Sequence, residues 1–219
     1  MSIPKVIYQT FKTNKLPFIT RWHINRFRKR NPDYQYEFYD DDRIAKFFKE
    51  EFNEDVLAAY QKLNIGAAKA DMFRYAILYK KGGIYLDIDS GIKGRLHEFI
   101  NPDDTAIITQ EGHPEFYAQW ALVYDAEHPF LKKTLEMVVE NIISNCHPNN
   151  VHAMTGPTVY TKAINECLRE NPLIPYRILG KDYEGHLVVK YRFGKAFLYK
   201  KGEHWKKKQL YTPVVKPEE

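Results

Sequence analysis

The chain has 219 residues, 44% hydrophobic and 28% charged, which suits one domain with a substantial core and excludes a disordered or fibrous protein. Two cysteines, Cys146 and Cys167, exclude a disulfide framework and read as buried thiols in a reducing compartment. The net charge of +5 lies in residues 181–219, where ten Lys/Arg face five Asp/Glu; this confinement argues against a nucleic-acid footprint, which runs through a whole domain. The basic end reads either as solvated surface or as a place for anionic ligands such as nucleotide phosphates or lipid headgroups.

MSIPKVIYQT lacks the basic start and apolar run of a signal peptide, and no stretch of about 18 apolar residues could span a bilayer, so the expected location is cytoplasmic. IPKVIYQT, residues 3–10, reads as the first buried strand of an α/β domain. Thr20–Arg30 is a predicted helix, capped by Thr20 and ended by Asn31-Pro32. YQYEFYD, 34–40, alternates as a strand, and Asp40 or Asp41 can cap a helix through Phe48.

NIGAAKADMFRYAILYKKGG, 64–83, is a helix for which Gly82 suits a left-handed C-terminal cap. Strands are expected at Gly83–Ile88, 105–111 and 116–125. Helices follow at His128–Asn145, with Pro129 in the first turn, and at Thr158–Glu170, entered through TGP at 155–157. Short strands at 175–179, 187–191 and 196–199 complete the alternation, and TPVVKPEE, 212–219, reads as a linker. The class is α/β, one domain with a mixed central sheet flanked by helices.

Residues 65–81 on a helical wheel place Lys69 and Lys80 on one side and Asp71 and Arg74 nearly opposite. The rest is largely apolar, so the helix is mostly buried and the Asp71/Arg74 pair points inward or along a cleft. A purely structural ion pair is the alternative, but burial costs such a pair desolvation that a wet polar site would relieve.

GGIYLDID, 82–89, sets two aspartates at the end of an apolar strand. Residues two apart on a strand point the same way, so Asp87 and Asp89 can face one point while Ile88 faces the core. Paired carboxylates repel, and a hard divalent cation, Mn²⁺ or Mg²⁺, is the natural compensation. At the carboxyl end of a strand in an α/β sheet, the open coordination positions suit phosphate oxygens.

The run AAKADMFRYAILYKKGGIYLDID resembles the DXD sugar-binding region of glycosyltransferase family 32, through Ala70, Asp71, Arg74-Tyr75, Leu78-Tyr79, Gly82-Gly83, Tyr85, Asp87 and Asp89. IPKVIYQTFK is similar to that family's opening strand, with Tyr8 and Phe11 in place of its His and Trp. NPDYQYEFYDDD, AEHPFL and TGP are similar to later segments.

The resemblance implies a GT-A fold with a Rossmann-like nucleotide-binding half over about 1–110, and an acceptor side with the basic tail over about 111–219. It implies retaining transfer of a hexose from a nucleotide diphosphate sugar, UDP favoured, to a hydroxyl of a glycan, protein or lipid-linked acceptor. The implied roles are metal binding and catalysis by Asp87 and Asp89, with Arg74 also catalytic, and sugar contact by Asp71 and Arg74. Tyr8, with Gln9 and Thr10, would hold the nucleobase, Tyr8 packing in the core being the alternative. His204 would be a further metal ligand, Gln119 and Trp120 would lie toward the acceptor, and Glu111 or Asp125 would be a base if the reaction inverted. The basic tail is a possible peripheral membrane contact. Two other readings stay open: a haloacid-dehalogenase-type phosphatase with Asp87 as nucleophile, and a silent sugar-nucleotide-binding module.

Overall fold

The computed structural model describes residues 3–110, 112–113, 115–191, 198 and 205–217. Strand β1 (Val6–Thr10) leads through helix α1 (Phe18–Arg30) to β2 (Gln35–Tyr39), then to helices α2 (Asp41–Glu51), α3 (Glu54–Lys62) and α4 (Gly66–Lys81). β3 (Gly83–Leu86) and the short β4 (Gly91–Ile92) follow, then β5 (Ala106–Thr109) and β6 (Ala121–Tyr124). Helices α5 (Pro129–Ser144), α6 (Val151–Met154) and α7 (Pro157–Glu170) precede β7 (Arg177–Leu179) and β8 (Leu187–Val188).

Among the described residues, six strands form one mixed sheet in the order β2-β1-β3-β6-β5-β7, and β4 pairs with β8 apart from it. β1 runs parallel to both β2 and β3, whereas β6 is antiparallel to β3 and β5. β6 thus enters between β3 and β5, so the sheet is not divided at residue 110.

Side chains alternate across this sheet as a period of two requires. Tyr8, Tyr85 and Ile108 pack in the core on one face, with α4 and α5. Ile7, Ile84 and Ile107 pack in a second apolar cluster on the other, with Ile24 and Phe27 of α1. α4 is buried from Asp71 through Leu78 and exposes Lys80, as its wheel predicts.

Gly82 and Gly83 turn the chain from α4 into β3. Gly82 has φ 60° and ψ −174°, outside the left-handed helical region expected for it but still at positive φ. At Gly83, φ is 108°, and a Cβ would stand 2.7 Å from the Val6 carbonyl oxygen. Gly83→Ala is expected to destabilise by about 3 kcal/mol or more, since backbone strain and a clash with an immobile strand add. Urea denaturation measures it.

Several local expectations are corrected. Thr20 is not a cap: α1 begins two residues earlier, and the Thr20 hydroxyl accepts a hydrogen bond from the Tyr191 hydroxyl at 2.9 Å. The cap of α2 is Asp40, which accepts from the Arg43 amide. The helix continues three residues beyond Phe48, and α3, which the sequence reading passed over, is capped by Asn53.

The 116–125 strand shortens to β6 because the Gln119 carbonyl is taken by the Arg74 guanidinium. Cys146 is exposed, at the left-handed end of α5, and only Cys167 is buried. Within the expected linker, Val214 is fully buried and accepts from the Asn64 amide, and Leu63 bridges Val215. The strand expected at 196–199 falls almost wholly outside the described residues.

Candidate active site

β3 ends at Leu86, and Asp87-Ile88-Asp89 form a turn rather than the expected strand extension. The Ser90 amide bonds back to the Asp87 carbonyl at 2.9 Å, which closes the turn. A second donor to that carbonyl is Gln9, whose amide lies 3.0 Å away, while its own oxygen accepts from the Tyr36 hydroxyl. The Asp87 amide donates to the Trp120 carbonyl, and the Tyr191 amide donates to the Asp89 carbonyl. Ile88 is buried in the second apolar cluster, as expected. The two aspartates are therefore set by a turn that β1, Trp120 just before β6, and the 189–191 segment pin, not by strand alternation.

Arg74 lies at the centre of the site. Its Nη2 is 3.0 Å from Asp87 Oδ1 and 3.2 Å from Asp71 Oδ1, and its Nη1 donates to the Gln119 carbonyl at 2.6 Å. The guanidinium also lies over the Tyr85 ring, 4.8 Å from its centroid, and the Tyr85 hydroxyl donates to Asp87 Oδ1 at 3.3 Å. A planar fork with several donors can serve these acceptors at once, which an ammonium cannot. α4 supplies Asp71 and Arg74 from one face, three residues apart.

Asp71 is satisfied on both oxygens: Gln119 Nε2 donates to Oδ1 at 3.1 Å and the Thr155 hydroxyl to Oδ2 at 2.9 Å. The Tyr75 hydroxyl stands within hydrogen-bond reach of both Gln119 Oε1 and the Thr155 carbonyl. The hub thus joins α4, the approach to β6 and the TGP loop. Thr155 and Tyr75 received no role from sequence, although both lie within segments that carried the resemblance.

Burial pushes the Asp71 carboxyl up to about 7 against the pull of Arg74. Desolvation raises Asp87 also, opposed by Arg74. Burial works against the charge of Arg74, but Asp87, Tyr85 and Asp71 outweigh it and raise its pKa. Asp71 and Arg74 side chains are nearly inaccessible, while 32% of the Asp87 side chain remains open. Asp87 is therefore the member of the trio that solvent or a ligand reaches.

A carboxyl whose pKa rises on folding binds more protons in the native state between its ordinary value and the raised one. Stability then falls as pH rises from about 4 to 7, at up to about 1.4 kcal/mol per pH unit for one group. Asp71→Asn is expected to remove that component of the slope, read from urea midpoints across this range.

Other candidates are placed differently. The Tyr8 ring is buried in the core, its centroid 6.2 Å from that of Tyr39. Thr10 donates to the Tyr39 carbonyl through its hydroxyl, and Gln9 acts as the strut already described. Gln119 stands in the Asp71/Arg74 hub rather than on a separate acceptor side. Trp120 is buried edge-on against Tyr183, a core tryptophan.

Asp125 follows Tyr124, which pairs with Gly83, so it lies at the opposite end of β3 from Asp87 and cannot be a base there. His204 and Glu111 lie outside the described residues. Among the described residues, no three or more His, Cys, Asp or Glu side chains converge to hold a metal.

Residues 20–112 match a family model described as the glycosyltransferase sugar-binding region containing DXD motif. The chain is 28% identical over 199 residues to an uncharacterized glycosyltransferase of Acanthamoeba polyphaga mimivirus, covering 83% of this chain and 72% of that protein. It is 35% identical over 100 residues to inositol phosphoceramide mannosyltransferase 3 of Schizosaccharomyces pombe, covering 46% of this chain but only 28% of that enzyme. The fold is similar to the UDP-bound glycosyltransferase domain from the YGT toxin, with a TM-score of 0.58 at 9% identity over 98% of this chain and 83% of that one. Residues 20–112 are thus similar to the sugar-binding region of DXD-containing glycosyltransferases, and the fold around them is similar to that of solved glycosyltransferase domains.

Proposed function

We propose that this chain transfers a hexose from a nucleotide diphosphate sugar to an acceptor hydroxyl, with the Asp87–Asp89 turn as the donor diphosphate site. The observation that carries this reading is the bond from buried Arg74 to both Asp71 and partly open Asp87. It holds Asp87, a carboxylate that a ligand can reach, against the buried Asp71–Arg74 pair.

The donor set suits a hard divalent cation: two carboxylates separated by one residue, on a turn held by three backbone–backbone hydrogen bonds and one from the Gln9 side chain, with no cluster of three or more ligating side chains among the described residues. Asp87 and Asp89 would hold Mn²⁺ or Mg²⁺, leaving positions for phosphate oxygens. When bound, the ion supplies Lewis-acid neutralisation of the charge on the departing nucleoside diphosphate.

The chain's own groups do the positioning. Asp71, held on both oxygens by Gln119 and Thr155, fixes the Arg74 guanidinium from behind the open Asp87 carboxylate. Arg74 holds Asp87 in register through Oδ1. Fixing a donor against such a preorganised frame removes part of the orientational cost of reaction. UDP is the favoured carrier, supported by the UDP-bound neighbour of the same fold, and the acceptor is a hydroxyl of a glycan, protein or lipid. A described carboxylate base near Asp87 is not needed by retention, in which the leaving phosphate can take the acceptor proton.

The phosphatase reading leaves the Asp71–Arg74 pair unexplained, and Asp87 Oδ1, its nucleophile, is engaged by Arg74 and Tyr85. The test is a melting-temperature screen of UDP, GDP and their sugar conjugates with and without Mn²⁺, followed by donor hydrolysis. Binding to the native state alone raises the melting temperature by mass action, by several degrees at about 100-fold excess over Kd. A metal-dependent rise with UDP-hexose supports the reading. No rise with any sugar nucleotide, together with release of phosphate from simple phosphomonoesters, overturns it. Binding without turnover would make the chain a sugar-nucleotide-binding module.

A further inference from the structure

Residues 11–32 contain seven Lys/Arg (Lys12, Lys15, Arg21, Arg26, Arg28, Lys29 and Arg30) and no Asp or Glu. Yet the first 180 residues as a whole are neutral. The run is therefore a local basic surface that the net charge conceals, and most of it lies on α1.

The helix has two sharply different faces. Thr20, Ile24 and Phe27 are buried against the sheet. At roughly 100° per residue, Phe18, Arg21, Trp22, Asn25, Arg26 and Lys29 fall together on the opposite side. Phe18 is 75% exposed and Trp22 46%, both large aromatics with solvent in front of them. The Arg26 guanidinium lies 5.4 Å from the Trp22 ring, so cation and aromatic share one patch. Among the described residues, no carboxylate pairs with Arg21, Arg26 or Lys29.

We infer that the outer face of α1 seats the protein on an anionic lipid bilayer. A helix with basic side chains on its exposed face and Trp/Phe among them is the chemistry of interfacial binding: cations meet headgroup charge and the rings enter the headgroup boundary. An acidic protein or a nucleic acid would satisfy the cations but would leave Phe18, the most exposed aromatic of the patch, without a partner. No helix among the described residues is long and apolar enough to cross a membrane, so the contact is peripheral. It is distinct from the basic tail, whose described lysines, Lys206–Lys208, lie on a separate short helix with exposed Leu210 and Tyr211 beside it.

The position of α1 gives the contact a use. Tyr191 joins the helix to the Asp-x-Asp turn: its amide donates to the Asp89 carbonyl, its hydroxyl to Thr20, and its ring stacks on His23 with centroids 3.9 Å apart. Tyr191 thus links the inner side of α1 to the backbone of Asp89. A bilayer on the outer face would bring lipid-borne hydroxyls near the turn. That consequence rests on the proposed transferase activity, whereas the surface itself does not.

The test is co-sedimentation of the intact chain with phosphatidylcholine vesicles, with and without about one-third phosphatidylserine. Binding to the anionic vesicles alone is expected. Arg21→Glu/Arg26→Glu/Lys29→Glu should lower the partition by about 100-fold or more, each basic residue near the surface being worth roughly fivefold. Phe18→Ser/Trp22→Ser should lower it about tenfold, and Phe18→Ser alone guards against any loss of folding in the double variant.

Lys206→Glu/Lys207→Glu/Lys208→Glu should leave binding largely intact. The inference is overturned by equal binding to neutral vesicles, by no binding at all, or by loss in the tail variant alone. Unchanged vesicle binding in the aromatic variants also overturns it, since that would mark a site for any polyanion. None of these readouts depends on donor turnover, so a failed transferase reading and a failed membrane reading are separable.

Discussion

Arg74→Ala is expected to destabilise the fold by about 3–5 kcal/mol and to abolish donor turnover. The loss is large because the guanidinium is buried and serves Asp71, Asp87 and the Gln119 carbonyl together. Its removal leaves the Asp71 carboxylate without a cation in a site from which water is excluded, the costly way to break a buried pair. Arg74→Lys keeps the charge but not the fork, and it should recover less than half of the lost stability. Urea denaturation checks both, and donor hydrolysis separates them from a merely weakened fold. If Arg74→Ala were as stable as wild type, the hub would not hold the site together.

Asp87→Asn and Asp89→Asn are the second pair of large effects. Each should lower metal-dependent donor hydrolysis by about 10²–10³-fold, the usual scale for removing one group that stabilises developing charge. The Mn²⁺-dependent rise in melting temperature with UDP should vanish in both. Because the turn is held by backbone bonds at Asp87 and Asp89, the fold survives either change. Asp87→Asn also weakens the tie to Arg74, so it alone should lower the melting temperature by a few degrees. Retained activity in both variants would remove the diphosphate site from this turn.

Two residues of the hub illustrate what could not be read without coordinates. Gln119 was expected toward the acceptor, whereas its partner Asp71 is 48 positions away. Thr155, 84 positions from Asp71, belonged to a loop recognised by its glycine and proline, not by its hydroxyl. Hydrogen bonds across such separations leave no periodic trace. The same holds for Val214, which looks like linker composition and is buried because Asn64 and Leu63 receive it.

The amino-acid sequence by itself determined the alternation of helices and strands, the inward face of α4, and the pairing of Asp71 with Arg74. These follow from short-range periodicity, and short-range periodicity is written in neighbouring residues. Only the tertiary structure decided that the aspartates sit on a pinned turn, that Tyr8 is buried, and that Arg74 and Asp71 tie the site to Gln119 and Thr155. It also decided that the outer face of α1 stays uncovered. Those outcomes depend on which distant backbone groups compete for the same partner, and that competition is settled only when the sheet closes and the core excludes water.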